Sequence, residues 1–181
     1  MKVKHLKYWL EQCLRLSQLS ECKRNKFGCL IIDPSSNCLL VDGYNGNCRG
    51  GSKMCGGENE CLRDTQGIKS GTVPSIGCNH AEANAICNSS RIGIGIKDKW
   101  LIVNGEPCLM CSKLIHATGL GVVIYIDGGY STKEGVDYLK KNRVTVLQVN
   151  QDLSILQEVL LSLIKVPKIS SEMTVQVSPF S

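Results

Sequence analysis

Apolar residues at Val3, Leu6, Leu10, Cys13, Leu14 and Leu16 or Leu19 recur three and four apart, which predicts an amphipathic helix from Val3 to about Ser20. The period then changes. Phe27–Asp33 is a short apolar run, Pro34-Ser35-Ser36-Asn37 interrupts it, and a second run follows over residues 37–45. Two strands joined by a tight turn fit this pattern. Between residues 46 and 78 periodicity is lost, apart from one helical turn near Glu58–Arg63, and Gly, Cys and polar groups dominate. A loop of that length inside a compact domain is usually functional.

Regular elements return after residue 78. The pattern predicts a helix from Asn79 to about Ser90, a strand over 99–105 and a helix from Pro107 to Ala117. Proline is tolerated in that first turn, and Gly119 stops the helix. A strand over 122–127, a short helix from Lys133 to Lys141 and a strand over 144–149 follow. Asp152 then reads as the N-cap of an amphipathic helix ending at Lys165. A starting hairpin followed by alternating helices and strands predicts an α/β fold: a three-layer α-β-α sandwich around a mixed five-stranded sheet. Residues 1–165 form one domain in this reading, and residues 166–181 an arm or disordered tail.

Composition adds little until the cysteines are counted. The chain has 181 residues, 43 % apolar and 20 % charged, with a formal net charge of +5. That is ordinary for a soluble protein and mildly favours anionic partners. The first residues lack the apolar core and cleavage site of a secretory signal. No apolar run reaches the roughly 18 residues of a membrane span. The chain therefore reads as cytoplasmic, with no membrane partner. Its eleven cysteines are then best taken as reduced thiols, some of them metal ligands. Cys13, Cys29, Cys38 and Cys87 lie inside apolar runs and are expected in the core.

The chemistry concentrates in two short segments. His80-Ala81-Glu82 opens one predicted helix, and Pro107-Cys108-Leu109-Met110-Cys111 opens another. Cys108 and Cys111, three apart, share a helix face. A helix N-terminus favours the thiolate that binds metal. Two thiolates and one imidazole suit Zn²⁺ and leave a fourth tetrahedral position for water, whose pKa the metal lowers. Glu82 can reach that water without being a ligand, and can carry its proton to a substrate ring nitrogen and leaving amine.

H-x-E followed by P-C-x-x-C resembles the signature of the zinc nucleobase deaminases. The likeness narrows with Gly43-Tyr44-Asn45-Gly46, Cys61-Leu62-Arg63, Gly67-Ile68-Lys69-Ser70-Gly71, His80-Ala81-Glu82-Ala83-Asn84-Ala85-Ile86 and Cys108-x-x-Cys111-x-x-x-Ile115. These segments, over about residues 5–150, resemble the deoxycytidylate (dCMP) deaminase family. The resemblance implies a cytidine deaminase-like fold and hydrolysis of dCMP to dUMP and ammonia, supplying the thymidylate precursor. It also implies homo-oligomers, commonly hexamers, activated by dCTP and inhibited by dTTP.

By position, Asn45 matches the asparagine that holds the sugar hydroxyl, and its carboxamide both donates and accepts. The Ala81 backbone would face the base, and Tyr130 would stack on it. Lys23, Arg24, Lys26, Arg49 and Arg91 are the candidate phosphate contacts, with Lys26 assigned to substrate. Asn47, Arg49, Gly51 and Arg91 are the candidate effector contacts. Cys48 stands where the family has proline, and Phe27-Gly28-Cys29 replaces V-G-A, which reads as a packing variation. Some members carry a second, structural zinc. Cys22 and Cys55 match its places, and Cys61 and Cys78 complete a candidate set.

Three alternatives share this reaction centre. A bifunctional enzyme would also accept dCTP. A polynucleotide deaminase, acting on tRNA adenosine or single-stranded DNA, would require a basic groove with stacking aromatics. Aromatic residues are only 5 % of the chain and no basic stripe is visible, so a nucleic-acid partner is disfavoured. A zinc-stabilised binding module would not need Glu82.

Overall fold

The computed structural model describes residues 1–51, 55–69, 76–127 and 133–150. Their elements are α1 (Val3–Ser17), β1 (Gly28–Asp33), β2 (Cys38–Tyr44), α2 (Leu62–Thr65), α3 (Ala81–Arg91), β3 (Trp100–Val103), α4 (Leu109–Ala117), β4 (Val122–Ile126), α5 (Glu134–Lys141) and β5 (Thr145–Val149). This is the predicted order. Helix α1 ends three residues early, where the Gln18 and Leu19 amides turn back to the Arg15 and Leu16 carbonyls. The single helical turn falls at 62–65, slightly later than the sequence suggests. The helix expected from Asp152 to Lys165, and the tail at 166–181, lie outside the described residues.

The five strands form one mixed sheet in the order β2-β1-β3-β4-β5. β1 pairs antiparallel with both β2 and β3, while β4 runs parallel to β3 and β5. Strand alternation divides the core in two. Cys29, Ile31, Leu101, Val103, Val123 and Tyr125 face α3, α4 and α5, meeting Ala85, Ile86, Ile115, Val136 and Leu139. Leu30, Ile32, Ile102, Ile124, Ile126 and Val149 belong to the other face, with Leu6, Trp9, Leu10 and Cys13 of α1. Strands covered on both faces must be apolar throughout, which explains the runs WLIV and VVIYI. Leu10 is fully buried, and truncating such a side chain to alanine costs about 2–5 kcal/mol.

Cys13 and Cys29 are buried as expected, but Cys38 and Cys87 are exposed. Cys38 opens the edge strand at the hairpin. Cys87 lies off the buried stripe of α3, which consists of Ala81, Glu82, Ala85, Ile86 and Ser89. An apolar neighbourhood in sequence does not fix the side of a strand or helix on which a residue falls. All eleven cysteines are free thiols, and no described helix is long and apolar enough to cross a membrane.

Two close approaches hold the site-bearing helices in place. A Cβ on Gly43 would collide with the Ala85 amide and Ala81 carbonyl of α3, so β2 and α3 touch backbone to backbone. A Cβ on Gly135 would strike the Pro107 carbonyl, Ser112 Oγ and the carbonyl carbon of Cys108, so α5 lies directly on the loop entering α4.

Candidate active site

Two helix starts meet at the catalytic motifs. His80 is the N-cap of α3 and Cys108 the N-cap of α4, each with extended backbone. The Cys111 amide, one turn into α4, donates to Cys108 Sγ at 3.5 Å. His80 Nδ1 lies 3.3 Å from Cys108 Sγ and 3.6 Å from Cys111 Sγ. Among the described residues these three form the one group of three or more potential ligands whose donor atoms all lie within 4.8 Å of one another. Tetrahedral zinc, with bonds of about 2.3 Å to sulfur and 2.0 Å to nitrogen, separates such donors by roughly 3.5 Å. The trio therefore fits zinc in donor type and spacing.

The electrostatics agree. The hydrogen bond with Cys111 holds the Cys108 thiol well below its usual range, and His80 adds to the effect. Cys111 is pushed up by the same hydrogen bond and by burial. His80 is raised by Cys108 against the opposing effect of burial. Glu82 is 4 % exposed, and its loss of water raises its pKa. A carboxyl raised by burial holds a proton more readily than an exposed one, which suits a proton carrier.

A cavity opens beside the trio. Among the described residues its lining includes Asn45, Phe27, His80, Glu82, Glu106 and Cys108, together with Arg24 and Arg63. Asn45 is buried, and its carboxamide is already engaged. Its Oδ1 accepts from the Phe27 amide at 2.7 Å and its Nδ2 donates to the Asn25 carbonyl at 2.8 Å. The Asn45 side chain also hydrogen-bonds Cys22, so its carboxamide donors are spent on the cavity wall and one lone pair of Oδ1 remains for a ligand. Ala81 is fully buried between His80 and Glu82 at the start of α3. Lys26 is exposed and absent from the described lining, and its carbonyl accepts from Asn104 Nδ2 at 3.1 Å. Tyr130 lies outside the described residues.

The effector candidates gather elsewhere. Asn47, Arg49 and Gly51 line a second cavity with Glu21, Asp42 and Asn88. Arg91 does not line it, but its Nη1 donates to the Arg49 carbonyl at 3.1 Å. Cys22, Cys55, Cys61 and Cys78 all line the first cavity, and Cys22, Cys55 and Cys78 also line the second. A hydrogen bond with Cys78 lowers the Cys22 pKa, and Cys78 also bonds to Cys55. These four thiols do not contain a trio as tight as His80, Cys108 and Cys111.

The sequence did not single out Phe27 or Glu106 as site residues, and it gave Arg63 no role. Phe27 lines the cavity, and its ring lies against Gly105, where any Cβ would collide with Cε1. The available signal was the aromatic replacement in an otherwise aliphatic motif. Glu106 directly precedes the proline of P-C-x-x-C, and Arg63 follows Cys61 at two residues' distance.

Comparisons with known proteins point the same way. The family model for the cytidine and deoxycytidylate deaminase zinc-binding region matches residues 3–127. A deoxycytidylate deaminase of Saccharomyces cerevisiae is 29 % identical over 141 residues, which are 78 % of this chain and 43 % of the yeast protein. The match thus spans less than half of that relative. A deoxycytidylate deaminase of Mycobacterium phage D29 is 33 % identical over 126 residues, covering 65 % of this chain and 91 % of the phage protein. The dCMP deaminase of cyanophage S-TIM5, solved with dCMP and dUMP, superimposes with a TM-score of 0.67 at 27 % identity, covering 82 % of this chain and 99 % of the other.

Proposed function

Because the chain belongs to the family of the cytidine and deoxycytidylate deaminase zinc-binding region, we propose that it hydrolyses dCMP to dUMP and ammonia, a step towards dTMP. The observation that carries this reading is Glu82. Its carboxyl is buried beside the His80, Cys108 and Cys111 trio and faces the same cavity. The substrate follows from the deoxycytidylate deaminases among the relatives and from the nucleotides bound in the cyanophage enzyme.

His80 Nδ1 and the sulfurs of Cys108 and Cys111 would hold the metal. When bound, zinc supplies a water acidified towards neutrality. Glu82 takes a proton at its carboxylate, delivers it to the pyrimidine ring nitrogen and then assists departure of the 4-amine as ammonia. Asn45 would accept from the sugar hydroxyl at its remaining lone pair and the Ala81 backbone would face the base, with Tyr130 the candidate to stack on it. Lys26 stays a candidate for the substrate's charge, although its side chain is exposed.

Regulation and assembly belong to the same proposal. The second cavity, with Asn47, Arg49 and Gly51, would take dCTP or dTTP, and Arg91 would brace its loop. Cys22, Cys55, Cys61 and Cys78 would hold a structural zinc, with Cys78 the central thiol. A hexamer is the favoured assembly and the cytoplasm the favoured compartment.

The test is turnover of dCMP and, separately, dCTP by the zinc-loaded protein, followed by ammonia release and product analysis. Formation of dUMP from dCMP is expected. No reaction with either nucleotide would refute the reading, and dCTP turnover alone would move the assignment to the triphosphate.

A further inference from the structure

We propose that Arg24 and Asp64 are positioning residues of the active-site cavity: their ion pair ties α2 to the wall that carries Asn45 and Phe27, and acts on substrate affinity through α2. This inference rests on the deaminase reading and adds to its binding site. The leading observation is a helical turn with little to hold it. α2 spans only Leu62–Thr65, and none of its residues is buried. A turn of that length is unstable in isolation. Arg24, forty residues earlier, reaches it with a fork. Nε and Nη2 both donate to Asp64 Oδ1, at 2.7 Å and 2.5 Å, and Nη2 also donates to the Ile68 carbonyl at 2.5 Å. One guanidinium thus binds the turn and the chain that leaves it. The Asp64 carboxyl also bonds to the Cys61 side chain, which is buried and lines the cavity.

The fork joins two parts of one wall. Arg24, Asn25 and Phe27 line the cavity from one segment, and Cys61 and Arg63 from the other. Asp64 does not belong to the described lining, so it can act there only through its neighbours. The first segment is fixed in its own right. Asn45 binds the Asn25 carbonyl and the Phe27 amide, and Asn104 Nδ2 binds the Lys26 carbonyl. Arg24 passes that order on to α2, because a planar guanidinium holding two acceptors has one orientation. If the fork lets go, the cavity loosens at Cys61 and Arg63. Glu82 and the metal-binding trio stand at the starts of α3 and α4, away from the fork, so the chemical step should not follow.

The test compares wild type, Arg24→Gln, Asp64→Asn and the double variant, all zinc-loaded. Hydrogen exchange is measured without nucleotide, beside equilibrium binding of dUMP and deoxyuridine and turnover of dCMP. The Thr65, Gly67 and Ile68 amides donate to the Cys61, Asp64 and Arg63 carbonyls. They should exchange faster in every variant, while the Cys111 amide keeps its protection. Both ligands should weaken by the same factor, roughly 3- to 10-fold for an exposed ion pair with one further charged hydrogen bond. KM for dCMP should rise in step, with kcat of Asp64→Asn close to wild type. The double variant should be no worse than either single one, since each breaks the same tie. Arg24→Lys keeps the charge without the fork, should fall in between, and serves if the glutamine variant unfolds. Unchanged exchange at residues 65–68, additive losses, or a loss confined to dUMP and to Arg24→Gln would overturn the assignment. Faster exchange and parallel loss of both ligands without dCMP turnover would uphold the tie and refute the deaminase reading. Turnover with unchanged exchange would do the reverse.

Discussion

Asn45 grips Phe27 at both ends of its backbone: the Asn45 amide donates to the Phe27 carbonyl at 3.0 Å, and the Phe27 amide donates to Asn45 Oδ1 at 2.7 Å. The residue expected to meet the sugar thus also sets the ring on the cavity wall. Asn45→Ala should unfold more easily, by about 1–3 kcal/mol for a buried donor left without its acceptor. Urea denaturation would measure this. A purely ligand-facing Asn45 would leave the midpoint unchanged.

Glu82→Gln separates chemistry from architecture. Turnover should fall by roughly 10²- to 10⁴-fold, the usual contribution of a positioned proton carrier, while zinc content is retained. Burial raises the Glu82 pKa, so in the metal-free protein the ionised carboxyl costs stability as pH rises above its unfolded value. The metal-free variant should therefore melt at or above the wild-type temperature near neutral pH. A lower melting temperature would mean that Glu82 is a structural anchor.

The sequence revealed the reaction centre because H-x-E and P-C-x-x-C are local, and a helix start fixes where each points. The sheet was legible for a similar reason: strands buried on both faces leave unbroken apolar runs. What stayed hidden depends on contacts far apart in the chain. Arg24 stood among five candidate cations in the sequence, and nothing there showed that Asp64, forty residues later, would occupy two of its nitrogens. Phe27 looked like a packing variant because its neighbour Gly105 lies far away in sequence. Cys38 and Cys87 were misplaced because their apolar neighbours carry no information about which face each would occupy.

Gly135→Ala tests how firmly α5 supports the ligand loop. The added methyl would collide with the Pro107 carbonyl and the carbonyl carbon of Cys108. Overpacking of this kind costs about 1–3 kcal/mol. The strain falls on a metal ligand, so zinc affinity should drop together with the melting temperature. Calorimetry and metal titration would check the pair. Destabilisation without weaker zinc binding would show that the loop relaxes independently of the site.

Chelation should act on stability as well as rate. The trio joins the starts of α3 and α4, so metal binding contributes to folding. A strong chelator should lower the melting temperature and abolish turnover, and added zinc should restore both. Cys108→Ser should resemble the chelated state and respond little to zinc. An unchanged melting temperature on chelation would mean that the helix starts hold their positions without the ion.

Cys22, Cys55 and Cys78 border both cavities, so the same three thiols wall two chambers. Close-packed matter transmits displacement rather than absorbing it. The chambers are therefore mechanically in series, and an occupant that shifts these thiols on one side reshapes the space on the other. Substitution at any of the three disturbs both chambers at once, so their roles separate by choice of ligand and not by mutation of the wall.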